Sequence, residues 1–325
     1  MNLSELLDLT SETEYFSKIF GGIDSSRIDL GLNIFEPAVV CALSTIWKNS
    51  NAPILILTST PKKSSEIYHQ LNTWLGSKSP IYRFPEVDEI PFERHSVDVI
   101  STQNRLEVLS AFRQRVSKLI NPIIVASIQA VSHLTLDRSV FDNSIMTLKV
   151  GDKVNVNDLS KKWLEMGYQI EKMVDIPGTF ARRGGILDLF TITGKKPIRI
   201  ELYGDNIESI RLFDPDSQKS FKSIKSFTIP PAEEILPALV STDKVYEKLN
   251  LIKTKQINEN HRVISNELAK AISGENPGNI SFYSGFFLFG SIFDYLSSDS
   301  ITILISPDQI KESSLSFDNR YNEIR

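Results

Sequence analysis

Four arginines and a glycine pair carry the side-chain chemistry best suited to recognition in this chain. Arg182 and Arg183 stand directly before Gly184 and Gly185, and Arg199 and Arg211 lie in two apolar runs shortly downstream. Glycines allow the backbone to turn without a side-chain clash, so such a turn can hold guanidinium groups outward. Each guanidinium is a planar, permanently charged donor fork that fits carboxylates at a protein interface. Solvated loop charges are the alternative reading of Arg182 and Arg183, and the residues alone leave both open.

The remaining candidates point away from catalysis. Glu86, Asp88 and Glu89 fall in one proline-punctuated stretch, Phe84 to Arg94, with no fixed geometry to make an acid–base pair. His69, His95 and His133 follow no metal-ligand spacing. Cys41 is the single cysteine, which excludes a disulfide framework and a Cys-based zinc site and suits a reducing cytoplasm. No catalytic or metal-binding residue is expected. A net charge of -4 argues against a surface that grips phosphates throughout. The start, Met1 to Glu5, has no basic, apolar signal pattern, and no run has the length of a membrane span, so a cytoplasmic chain is expected.

The elements that must hold the arginines are strands. Leu187 to Ile192, Pro197 to Tyr203 and Ile207 to Phe213 are rich in Ile, Leu and Phe and bounded by Gly, Pro, Asp or Asn. A three-residue Gly204-Asp205-Asn206 loop would pair Ile200 with Ile210 and Ile198 with Leu212 on a core face. Arg199 and Arg211 then stand opposite each other on the other face, which calls for a neutralising acid: Glu201 or a partner's carboxylate. Upstream, Asn157 to Met166 reads as an amphipathic helix capped by Asn157 or Asp158 and stopped by Gly167, feeding a strand from Tyr168 to Val174.

The first third alternates strand and helix. Ile54 to Thr58, Ile81 to Phe84 and Pro122 to Ile128 are apolar strands, and Pro37 to Trp47, Pro61 to about Leu75 and about Ser101 to Leu119 are helices, the order of a parallel sheet with crossover helices. This is a helicase-like, P-loop type of layout, with 325 residues enough for two or three domains. Its phosphate cradle would fall at Gly31 to Ala38, where no lysine or serine is placed to serve and Asn33 and Glu36 stand instead. The magnesium-holding acids would follow Ile301 to Ile305, where Ser306-Pro307-Asp308 offers no pair and Asp308 reads as a turn residue. The nucleotide site is therefore degenerate. Phe282 to Leu296, with five aromatic residues from Phe286 to Tyr295, reads as a helix packed into a core.

Read residue by residue, Pro177 to Ser220 resembles the domain that UvrB shares with transcription-repair coupling factors and that both use to dock on UvrA. The acidic stretch at Phe84 to Arg94 and Pro230-Pro231-Ala232-Glu233-Glu234 fit the same family, and the two nucleotide-site defects favour the coupling-factor side of it. The resemblance implies an α/β chain with a degenerate helicase-like parallel sheet and an inserted small α+β domain of mostly antiparallel strands. The implied domains are 1–135 and 233–325, building the first sheet, and 136–232, binding UvrA. Arg183 corresponds to an arginine that faces UvrA in the family. Family patterns place a further arginine either two residues earlier, where this chain has Ala181, or just after the Gly-Tyr step, where it has Gln169, which leaves Arg182 as a substitute. Phe190, in the shared Asp188-Leu189-Phe190 run, is either an apolar anchor at that surface or a core residue.

The implied function is that of a non-catalytic N-terminal module, without cofactor, that recruits UvrA to lesions where RNA polymerase has stalled and restrains a DNA translocase. Polymerase and double-stranded DNA would be engaged by domains after residue 325, which would also supply the ATP and magnesium sites and a C-terminal domain masking the UvrA face. A UvrB-like DNA-binding and ATPase fragment is the alternative.

Overall fold

The computed structural model describes residues 3–23, 30–87, 99–118, 121–251, 258–275 and 280–324. They divide into two compact units, one of residues 1–86, 111–132 and 296–325, the other of residues 87–110 and 133–295. Asp88 to Arg94 and His95, which the sequence reading covers, lie outside the described residues.

In the first unit, β1 (Ile54–Thr58), β2 (Ile81–Phe84) and β3 (Ile123–Ser127) form a parallel sheet with the strand Ile301–Leu304, which flanks β1. Ile54 pairs with Ile123 on one side and Ile301 on the other. Strands β1 and β3 are buried along their whole length, which is why they read as continuous apolar runs. Thr60 caps the helix Pro61–Leu75 by accepting from the Lys63 amide at 3.2 Å. The helix expected to open at Pro37 is divided: a 3-10 turn spans Glu36–Ala38 and the α-helix runs Val39–Asn49. Phe16, Ile46, Ile56, Leu71 and Val125 meet in the core of this unit.

The second unit holds a two-stranded ribbon of β4 (Met146–Lys149) and β11 (Ser226–Ile229), and a six-stranded sheet. The sheet comprises β5 (Gln169–Ile170), β6 (Thr179–Arg183), β7 (Ile186–Phe190), β8 (Ile198–Tyr203), β9 (Asn206–Phe213) and β10 (Ser220–Ile224), adjacent in chain order. Only β5 runs parallel to its neighbour; the other pairings are antiparallel. Trp163, Phe180, Leu187, Leu189, Ile200 and Ile210 fill the core on one face. The helix over that core starts earlier than the sequence suggests: Asn155, not Asn157 or Asp158, caps Val156–Glu165 by accepting from the Asn157 and Asp158 amides. This phase places Leu159 and Trp163, one turn apart, toward the sheet.

The expected pairing of Ile200 with Ile210 and Ile198 with Leu212 is present, by a different route. Tyr203 pairs with Asn206 across a two-residue Gly204-Asp205 turn, and a bulge in β9 then restores the register at Glu201 and Ser209. The strand expected from Tyr168 to Val174 ends at Ile170, because Val174 turns to the second face and is buried there with Ala181, Phe190 and Phe213.

Phe282 to Leu296 is not one helix. A 3-10 turn (Ile280–Tyr283), one α-turn (Ser284–Phe287) and a second 3-10 turn (Ile292–Tyr295) succeed one another, with Gly290 between the last two. Tyr283 and Phe287 pack with Val245, Leu249, Leu268 and Ala271 in a core of their own. Residues 233–295 accordingly belong to the second unit, while 296–325 belong to the first.

Candidate protein-docking face

Alternation along the strands sorts the candidate residues onto two faces. Ala181 and Arg183 of β6, Asp188 and Phe190 of β7, Arg199 and Glu201 of β8, and Ser209, Arg211 and Phe213 of β9 share the face turned away from Trp163. Directly across the strands run Ala181, Asp188, Arg199 and Arg211 in one row. Arg199 and Arg211 are therefore opposite each other, as their spacing requires, and each has its own acid. Arg199 donates from Nε to Asp188 Oδ1 at 2.7 Å and from Nη2 to Oδ2 at 3.0 Å. Arg211 donates from Nη2 to Glu201 Oε2 at 2.8 Å, and the Ser209 hydroxyl donates to the same oxygen at 2.7 Å.

Arg183 reaches diagonally across its hairpin and donates from Nη2 to Asp188 Oδ2. Its side chain is 50% exposed, whereas Asp188 is 1% exposed. Asp188 is the carboxylate that sequence reasoning missed as an ion partner. The available signal was a carboxylate set between Leu187 and Leu189 in a strand, because alternation must turn it toward the arginine face.

Arg182 has the opposite orientation. Its neighbour parity is that of Phe180, and Nη1 donates to Asn157 Oδ1 at 2.7 Å beside the capped helix. Gln169 lies on the exposed edge strand, in register with Thr179. Phe190 is buried with Val174, Ala181 and Phe213, so it takes the core role of the two that the sequence offers. Arg199 packs over Phe213, with Cζ 4.6 Å from the ring centroid.

In the first unit, Asn33 lies in an irregular segment and Glu36 pairs with Lys63, Oε1 to Nζ 2.5 Å. Hydrogen bonding to the Lys63 ammonium holds the Glu36 carboxyl below its ordinary range. Ser306 has a left-handed backbone (φ 56°), and Pro307 opens the helix Pro307–Ile324, with Asp308 in its first turn rather than in a loop.

Residues 146–235 match the family model described as UvrB interaction domain. The match starts at β4 and ends just past β11, so it encloses the whole arginine-bearing sheet. This segment is similar to the UvrB interaction domain. The rest of the chain has relatives of the same kind. It is 26% identical over 316 residues, 93% of this chain, to the transcription-repair-coupling factor of Bacillus subtilis (strain 168). It is 30% identical over 190 residues, 57% of this chain, to that of Myxococcus xanthus, and 25% identical over 95% of its length to that of Staphylococcus aureus (strain bovine RF122 / ET3-1). These alignments cover 26%, 16% and 27% of the respective relatives, so the chain spans about a quarter of their length or less. The chain resembles the N-terminal module of such factors.

In the ion pairs on the outer face of this segment, three guanidiniums, of Arg183, Arg199 and Arg211, share two carboxylates, of Asp188 and Glu201. Arg199 is inaccessible by comparison with Arg183, with 16% of its side chain exposed. Its guanidinium pKa is pushed up, first by the hydrogen bond to Asp188. The surplus positive charge of these pairs is thus presented by Arg183, which shares Asp188 with Arg199. Among the described residues, no helix is long and apolar enough to cross a membrane.

Proposed function

We propose that this chain is a protein-docking module that recruits UvrA through the face centred on Arg183, and that it serves as the non-catalytic N-terminal part of a transcription-repair coupling factor acting where RNA polymerase has stalled at a lesion. The observation that carries the reading is the half-exposed Arg183 guanidinium on a segment similar to the UvrB interaction domain, with one buried acid behind it and its remaining donors unengaged. Polymerase and DNA are contacted by parts of the longer protein outside these residues, and restraint of its translocase is a second duty of the same module.

The non-catalytic half of the reading is supported by Glu36, a carboxylate paired to Lys63 in the segment where the sequence pattern would call for a phosphate cradle. Saturable binding of a fluorescent ATP analogue by this chain would overturn that half and favour a UvrB-like ATPase fragment.

The docking half is tested by calorimetric titration of the chain with UvrA at moderate salt, beside Arg183→Ala. Loss of an interface arginine of this kind weakens binding by about 1–3 kcal/mol. A folded wild-type chain that does not bind UvrA sinks the proposal and leaves restraint of the translocase as the module's role.

A further inference from the structure

The geometry points to Asp188 as the positioning residue of the docking face: one buried carboxylate fixes Arg199 as a fork and aims the free edge of Arg183 at a carboxylate of the partner protein. This deepens the docking reading of the Arg183 face and rests on it.

Both oxygens of Asp188 are used. Oδ1 accepts from Arg199 Nε at 2.7 Å, and Oδ2 accepts from Arg199 Nη2 at 3.0 Å and from Arg183 Nη2. Arg199 is further tied by Nη1 to the Gln218 carbonyl at 3.1 Å and by its packing on Phe213. The carboxylate is therefore held from one side by a largely buried guanidinium and restrains a half-exposed one on the other. Arg211 and Glu201 close on each other in the next strands and leave the surplus charge with Arg183. A guanidinium with one Nη engaged keeps a donor pair for a second carboxylate, so the ligand class is an Asp or Glu side chain on a protein surface.

Replacing Asp188 by Asn has two opposed effects. The face becomes more positive, which attracts an acidic partner, and Arg183 loses the restraint that spares the partner the cost of ordering a long side chain. At moderate salt the charge gain is felt by the partner through the half-exposed Arg183, where it is screened over about 8–10 Å, so the loss of ordering dominates.

The test is a double-mutant cycle on the full 325-residue chain, titrated with UvrA at moderate salt: wild type, Arg183→Ala, Asp188→Asn and the double variant. The expected result is a loss of about tenfold for Asp188→Asn, with little further loss when Arg183→Ala is added, since the two act as one unit. Additive losses assign Asp188 a purely structural role and overturn the inference, as does binding by Asp188→Asn equal to or tighter than wild type. Failure of the wild type to bind removes the docking reading itself, before any variant is considered. Because Asp188→Asn can unfold, the side-chain NMR signals of Arg183 in the wild-type chain give a second measurement. Slow rotation of its guanidinium is expected, and free averaging overturns the proposal.

Discussion

Arg105 and Glu234, 129 residues apart in the chain, form a buried ion pair in the second unit, with Nε 2.6 Å from Oε2. Less than a tenth of either side chain is exposed. The Thr135 hydroxyl donates to the other carboxylate oxygen, and Arg105 Nη2 donates to the Leu134 carbonyl at 3.3 Å. Removing one partner of such a pair strands a charge away from water, at a cost of about 3–5 kcal/mol. Arg105→Met is therefore expected to lower urea stability by about that amount, and Arg105→Met with Glu234→Met by clearly less. Equal losses in the single and double variants would show that the charge is not stranded.

His133 is a pH reporter for the same region. Burial, and then the Arg105 charge, push its imidazole down from 6.5 to about 4. Between those values the unfolded chain binds the proton and the folded chain does not. Its stability contribution is therefore complete above pH 6.5 and is lost as pH falls toward 4, by at most about 3 kcal/mol. His133→Gln should flatten this limb of the stability curve; an unchanged slope would reject the assignment.

Two glycines with left-handed backbones differ in what surrounds them. At Gly167 (φ +87°) a Cβ would lie 2.8 Å from the Glu233 side chain, whereas at Gly204 (φ +58°) nothing lies within 4 Å. Gly204→Ala should cost only the conformational strain, about 1–2 kcal/mol, and Gly167→Ala more, because the close contact is added. Thermal melts showing the reverse order would refute this.

Arg182 and Arg183 are adjacent yet face opposite ways, so they are expected to separate in binding. Arg182→Ala, which loses only a hydrogen bond to Asn157, should leave UvrA affinity within about twofold, while Arg183→Ala loses about fivefold or more. Similar losses would mean that the partner wraps around the strand edge.

Much of the domain was legible because its causes are local. The β8 and β9 runs carry a period of two, and that period alone sets Ile200 against Ile210 and Arg199 against Arg211 whichever turn joins them. The turn at Gly204 is one residue shorter than the spacing predicts, and the bulge compensates, since burial of Ile198, Ile200 and Ile210 outweighs the detail of the loop. The helix cap was less legible: Asn155, Asn157 and Asp158 are all competent, and packing of Leu159 and Trp163 chose among them.

The sequence by itself determined the strands, the facing arginines and the family resemblance, because strand alternation, turn residues and motif order are properties of neighbouring positions. Only the tertiary structure decided which acid answers which arginine, that Phe190 is core, that Arg182 leaves the candidate face, and that Arg105 meets Glu234. Those outcomes depend on which distant segments share a buried volume, where an ion must find its partner among the side chains that folding brings beside it.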